Sequence, residues 1–322
     1  MLEHSPDVAA AIAVDTGTPP PPAEAPEKVD FVRARSQRIG FGGILAIAWL
    51  AFVVVAAIVI PMIVKNPSDP GLLAGRGLFK VSGHPLGGDA AGNDMLLQLA
   101  KGARSSLIVA IGAVAVGLAL GGTFGLIAGY RRGRIDTILT SFFNILLAIP
   151  QFVLAVALVS VLANDSINKQ GIPQPVGSGR RLFILVVALG IVSTPILARI
   201  TRANTLQWAQ REFVMAARAQ GATDRRVMIR EVLPNVLPAM FSIALLGIAV
   251  AMVAEGGLSI LGVGVHLPGV SWGSLIAGGR NSLQSQPALV FEPIVCLFLT
   301  VLSLNYLGDV VRARFDVRES VL

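Results

Sequence analysis

One cysteine and three histidines are all that the 322 residues offer of the common soft-metal and redox side chains. The lone Cys296 lies in an apolar run, so no disulfide can close within the chain and no cysteine-based metal site can be built. His4, His84 and His266 are too scattered to form a cluster. Charge is also scarce, at 14% of residues, where a soluble domain carries about 25%. No GxxxxGK followed by Ser or Thr occurs, so the chain lacks the loop that cradles nucleotide phosphates on backbone amides. Nor do the first residues have a basic start followed by an early apolar stretch, as a secretory signal would.

What fills the sequence is apolar surface: 54% of residues are hydrophobic, gathered into long uncharged runs. A helix needs roughly 20 such residues to cross a bilayer. The runs are continuous rather than alternating, which predicts helices and not a barrel. Six spans are expected, at 41–64, 105–130, 137–163 with Pro150 near its middle, 182–198, 237–261 and 287–307. Gly117, Gly121, Gly122, Gly125 and Gly129 give the second span a stripe of small residues suited to close helix packing in lipid.

The expected organisation is a disordered cytosolic tail over 1–40, a first span at 41–64, an outer loop at 65–104, a five-helix core at 105–310 and a cytosolic tail at 311–322. The first 40 residues hold six acids and a TPPPPAEAP stretch, a composition that buries little. With the N-terminus inside, inner segments carry 17 Lys and Arg against 9 in outer ones, which agrees with the positive-inside bias. The net charge of +7 is thus explained by topology, and nucleic acid is not expected as a partner.

One inner segment stands apart. Residues 211–238 read REFVMAARAQGATDRRVMIREVLPNVLP, with five arginines against three acids. Strong helix formers run from Glu212 to Gln220, and Gly221 suits a left-handed helix stop. Thr223 can cap a second helix with Asp224 in its first turn, and that helix is expected to end before Pro234. Ala216, Ala217, Ala219 and Ala222 leave a low surface against which another protein can pack.

This segment resembles the cytosolic EAA loop of permease subunits of ATP-binding-cassette importers. Met215-Ala216-Ala217 takes the EAA place, Gly221 follows after three residues, and after nine more come Glu231, Val232, Leu233 and Pro234. Met215 stands for Glu and Glu231 for Ile, and Glu212 can present a carboxylate on a neighbouring face. The resemblance implies that the loop, about 205–236, forms a coupling helix docking on an ATPase subunit through Glu212, Met215, Ala216, Ala217, Gly221, Ala222, Leu233 and Pro234.

A second stretch, HPLGGDAAGNDMLLQLAKGARSSL at 84–107, is similar to the HPLGTDxxGRDxxSRxxxGARxSL segment of C-type permeases of dipeptide and oligopeptide importers. Gly88 replaces Thr and Asn93 replaces Arg. RRGRID at 131–136, Ser271-Trp272-Gly273, Gly279-Arg280 and the run Asn305-Tyr306-Leu307-Gly308-Asp309 agree as well. His84, Asp89, Asp94 and Arg104 then form a candidate outer docking loop, with the two acids free to cap or to pair with Lys101 and Arg104. A turn that only braces the bundle is the alternative.

Glu255 is an acid deep inside a span, roughly 27 Å along a helix counted from Leu237. Such a charge must face protein or water. It either lines a translocation path or bonds a neighbouring helix.

The resemblance implies an all-α polytopic membrane protein with six transmembrane helices, in the type I ABC importer permease fold with a cytosolic coupling helix. It implies the permease subunit of an ATP-driven dipeptide or oligopeptide importer in the bacterial inner membrane, with both termini cytosolic. No cofactor is expected on this chain, ATP and Mg being held by partner subunits. The implied partners are a homologous B-type permease, two ATPase domains, an extracytoplasmic solute-binding protein, a peptide substrate and membrane lipid. Import of nickel or another small solute remains open. An ion-coupled secondary transporter would place acids in several spans and use paired broken helices. A membrane enzyme would assemble catalytic side chains at one face, and neither pattern is visible.

Overall fold

The computed structural model describes residues 40–64, 83–89, 91–163, 177–266 and 269–319. Residues 1–39 of the expected N-terminal tail and residues 65–82 of the expected 65–104 outer loop lie outside these residues. The order is α1 (Phe41–Ile63), α2 (Met95–Arg131), α3 (Gly133–Ala148), α4 (Gln151–Leu162), α5 (Ser178–Trp208), α6 (Glu212–Ala219), α7 (Asp224–Val227), a π-turn (Met228–Val232), α8 (Leu233–Ile260), α9 (Trp272–Gly279) and α10 (Ala288–Glu319). An isolated antiparallel bridge joins Gly88 to Asp94.

Five helical stretches are long and apolar enough to span a bilayer, and the pair α3 and α4 makes a sixth when counted as one broken span. That pair bends by 89°. Ile149 is extended with ψ of 129°, as the residue before Pro150 is forced to be. Helical structure exceeds the expected spans most at three helices. Helix α2 starts at Met95, not near 105, because Asp94 caps it by accepting from Leu97 N–H at 3.0 Å. Helix α5 runs from Ser178 to Trp208, and α10 continues to Glu319 through the expected C-terminal tail.

The closest helix packing joins α2 to α5. A Cβ at Gly125 would lie 2.4 Å from Ala198 O, a separation real side chains do not show. Gly117, Gly121 and Gly129 face α5 in the same way, whereas Gly122 faces Met240 of α8. The stripe therefore serves two neighbours. At the far end of α2, Arg202 of α5 binds both carboxylate oxygens of Asp136 in α3, with Nη2 to Oδ2 at 2.6 Å. Helix α1 joins α10 through Trp49 Nε1, which donates to Thr300 Oγ1 at 3.0 Å.

Candidate functional site

The short helix α6 lies at the Arg131 end of α2, where the chain leaves α5. Its inward face is Val214, fully buried with Val227, Val232, Val236, Trp208, Tyr130, Leu126 and Met240. Aliphatic residues at this spacing fasten a short helix that could not persist alone. Gly221 ends α6 with φ of +82°. Its N–H bonds Arg218 O at 2.9 Å and the Ala222 N–H bonds Ala217 O at 3.1 Å, the paired bonds of a Schellman stop. No atom crowds Gly221, so glycine is demanded by conformation and not by space.

Thr223 occupies the N-cap position of α7 as expected, but its hydroxyl makes no capping bond. The expectation that the second helix ends before Pro234 does not hold. The chain passes through the π-turn, in which Leu233 N–H bonds Met228 O, and continues as α8. A widened turn accommodates a proline that has no N–H and would otherwise clash with the preceding turn. Asn235 Nδ2 donates to Glu231 O at 2.6 Å and occupies one carbonyl of that turn.

The outward face of α6 differs from the alanine surface expected from sequence. Ala216 and Ala219 are exposed, while Ala217 and Ala222 are half-buried and packed on the valine cluster. Met215 is 55% exposed and Phe213 stands beside it. Glu212 is exposed in the first turn, and Pro234 is exposed at the start of α8, with Leu233 half-buried. The segment is braced from behind. Tyr130 Oη donates to Asp224 Oδ1 at 3.0 Å, Arg218 lies 5.0 Å over the Tyr130 ring, and Arg211 lies 5.3 Å over Trp208. Sequence reasoning missed these aromatic partners, although Tyr130 directly precedes the RRGRID motif.

At the opposite end of α2, residues 83–89 and 91–94 form a turn closed on itself. Asp89 Oδ1 accepts from Ala91 N–H and Asn93 N–H, and Oδ2 accepts from Asn93 Nδ2, each at 2.8 Å. Asp94 bonds the His84 ring through its other oxygen while capping α2. Of the two alternatives open to these acids, Asp94 caps α2, and no pairing with Lys101 or Arg104 is found among the described residues. Arg104 sits exposed on α2, about 15 Å along the helix from Asp94. His84, Asp89 and Asp94 come together, and Arg104 does not join them.

Glu255 is 1% exposed, enclosed by its own subunit. Ser106 of α2 donates to it at 3.2 Å, Ser259 of α8 at 2.8 Å, and Ser271, the N-cap of α9, at 2.7 Å. Ser271 also accepts from Ser274 N–H at 3.0 Å, and Trp272 N–H donates to Ser106 Oγ at 3.2 Å. The carboxylate is therefore the centre of a hydroxyl network joining three helices, and no face of it reaches an open path in this conformation. Of the two readings open in the sequence, this geometry favours the bond to neighbouring helices. The Ser271-Trp272-Gly273 motif supplies two of the network's members, a role its sequence did not reveal.

Among the described residues no group of three or more His, Cys, Asp or Glu side chains could hold a metal ion. The arrangement offers surfaces and braces rather than reacting groups.

Comparison with known proteins agrees with these features. Residues 121–320 match the family described as binding-protein-dependent transport system inner membrane component. The chain is 31% identical to the dipeptide transport system permease protein DppC of Alkalihalophilus pseudofirmus, over 94% of each. It is 33% identical to the glutathione transport system permease protein GsiD of Pectobacterium atrosepticum over 73% of each. Identity to the oligopeptide transport system permease protein OppC of Haemophilus influenzae is 31%, over 73% of this chain and 71% of that one. The fold is shared with a chain of the MetNI methionine ABC transporter in inward-facing conformations, with a TM-score of 0.53 and 20% identity over 68% of this chain and 97% of that one. The chain therefore belongs to the binding-protein-dependent transport system inner membrane components, as a multi-pass permease subunit of an ABC importer in the type I fold and not an enzyme.

Proposed function

We propose that this permease imports peptides, that α6 is its coupling helix, and that both termini and α6 face the cytosol. The observation that carries the reading is the outward face of α6, with Met215 and Ala216 displayed on a helix fastened by Val214 and stopped by Gly221. A rigid short helix with a shallow exposed face suits insertion into a cleft of an ATPase subunit. Two such subunits, holding ATP and Mg, supply the energy, and a homologous permease supplies the other wall of the path. The peptide and glutathione assignments of its relatives support the substrate class. The turn at 83–94 then faces outward, where a solute-binding protein delivers its cargo.

Closure of the ATPases pushes α6, and the Tyr130–Asp224 and Arg218–Tyr130 contacts pass that displacement to α2. The bundle moves as a body, because packed helices shift between discrete arrangements rather than deforming. The test is co-purification and uptake. Ala216→Trp is expected to insert in the membrane normally yet lose the ATPase subunits and the uptake of labelled di- and oligopeptides. Retention of both by that variant overturns the docking assignment. Uptake of nickel or another small solute in place of peptide by the unaltered transporter overturns the substrate assignment.

A further inference from the structure

On the flank of α7 and the π-turn, Thr223, Arg225, Arg226, Ile229 and Arg230 line an open hollow of about 370 Å³. The three arginines are exposed, and none makes an ion pair or a side-chain hydrogen bond among the described residues. The acids beside them do not neutralise them. Asp224 is bonded by Tyr130 Oη, and Glu231 forms no ion pair with them. Nearby arginines are engaged: Arg202 pairs with Asp136, and Arg211 and Arg218 lie over the Trp208 and Tyr130 rings. The hollow thus gathers three positive charges with no counter-charge among the described residues.

Its depth is set by Tyr130. That residue ends the uncharged run Ser105–Tyr130 of α2, which is about 39 Å long at the rise of a helix. A hydrocarbon core of about 30 Å leaves both ends of such a run in the headgroup layers, a level that tyrosine favours. Because Tyr130 bonds Asp224, α7 begins at the same depth. Arg225 and Arg226 follow directly. Arg230 stands about 9 Å further along the helix toward the span, and its long side chain can bend back to the interface. Ile229, 44% exposed among the arginines, meets the edge of the apolar layer.

We infer that this hollow seats the phosphate of an anionic phospholipid of the inner leaflet, with Arg225, Arg226 and Arg230 as donors and Ile229 against the glycerol and first methylenes. The choice of leaflet rests on the proposed topology; the site itself does not. Guanidinium groups bind phosphate oxygens through paired, charge-assisted hydrogen bonds. Each basic residue at this level favours an anionic headgroup about fivefold. An acidic surface of an ATPase subunit would also supply negative charge. Such a surface lies below the headgroups, whereas Tyr130 and Ile229 set the hollow within their layer.

The assembled transporter, released from nanodiscs holding equal amounts of phosphatidylglycerol and phosphatidylcholine, tests this by native mass spectrometry of the lipid it retains. Phosphatidylglycerol should be kept in preference. Arg226→Gln with Arg230→Gln should lower its retention about tenfold or more. Arg131→Gln with Arg134→Gln, an equal loss of charge at exposed positions of the α2–α3 turn, should leave it unchanged. Retention by the first pair overturns the site, and equal loss in both pairs overturns it in favour of diffuse charge. Displacement of the lipid by added inorganic phosphate overturns it in favour of a free anion. Loss of the ATPase subunits by the first pair, with lipid retention unchanged, gives the hollow to an acidic protein surface instead. The leaflet is read separately. Ala219→Cys in a Cys296→Ser background should resist a membrane-impermeant maleimide added outside spheroplasts; labelling there overturns the topology and the inner-leaflet assignment, not the site.

Discussion

Tyr130 at the end of α2 and Asp224 at the start of α7 are 94 residues apart in sequence, yet the tyrosine hydroxyl donates to the carboxylate at 3.0 Å. The bond ties the segment that leaves the bundle back to the helix at its centre. Arg218 over the same ring adds a second tie from α6.

Tyr130→Phe removes the hydroxyl while keeping the ring that supports Arg218. The expected loss is about 1 kcal/mol of local stability, too little to unfold the chain. ATP hydrolysis stimulated by the binding protein should fall while ATPase subunits still co-purify. Full stimulation in this variant, measured in liposomes, removes the linkage from the coupling path.

Gly221→Ala places a Cβ on a residue held at φ of +82°. The left-handed conformation costs an L-residue about 1–2 kcal/mol, and nothing nearby is displaced. Reduced coupling with intact membrane insertion is expected, and amide exchange across 212–222 should rise. Unchanged exchange there shows that the turn does not depend on glycine.

Gly125→Leu brings the α2 side chain onto the backbone of α5, where even a Cβ would lie 2.4 Å from Ala198 O. Helices in lipid associate through such close contacts, so overpacking should cost about 1–3 kcal/mol. A lowered melting temperature in detergent checks it, with Gly179→Leu, at an uncrowded helical glycine of α5, showing how much comes from the change of residue without the clash.

Glu255→Leu leaves the hydroxyls of Ser106, Ser259 and Ser271 without their shared acceptor. A marked fall in the melting temperature is expected. Glu255→Gln keeps an acceptor oxygen and should fall less, with uptake of peptides bearing free and acetylated amino termini reduced to the same degree. A selective loss for free amino termini would return Glu255 to the translocation path.

The local form of the 211–238 segment was largely legible because its determinants are local. A glycine after a run of helix formers, and a fixed spacing onward to Leu233 and Pro234, are properties of neighbouring residues. Pro234 misled for a related reason. The rule that helices end before proline is local too, and a wider turn, supported by packing of Val232 and Val236, overrode it. The serine network was not legible, because Ser106 is 149 residues from Glu255, and no pattern in one chain announces which distant hydroxyl will meet a buried carboxylate.

The sequence by itself determined that this chain lives in a membrane, carries no nucleotide loop, and offers a bent helical segment between two spans. Run length, residue type and short spacing decide such matters. Only the tertiary structure decided that Met215 and Ala216 face outward while Ala217 turns in, and that Glu255 is enclosed. Burial is set by what other helices bring to a residue, and that depends on how the helices pack, not on the order of the chain.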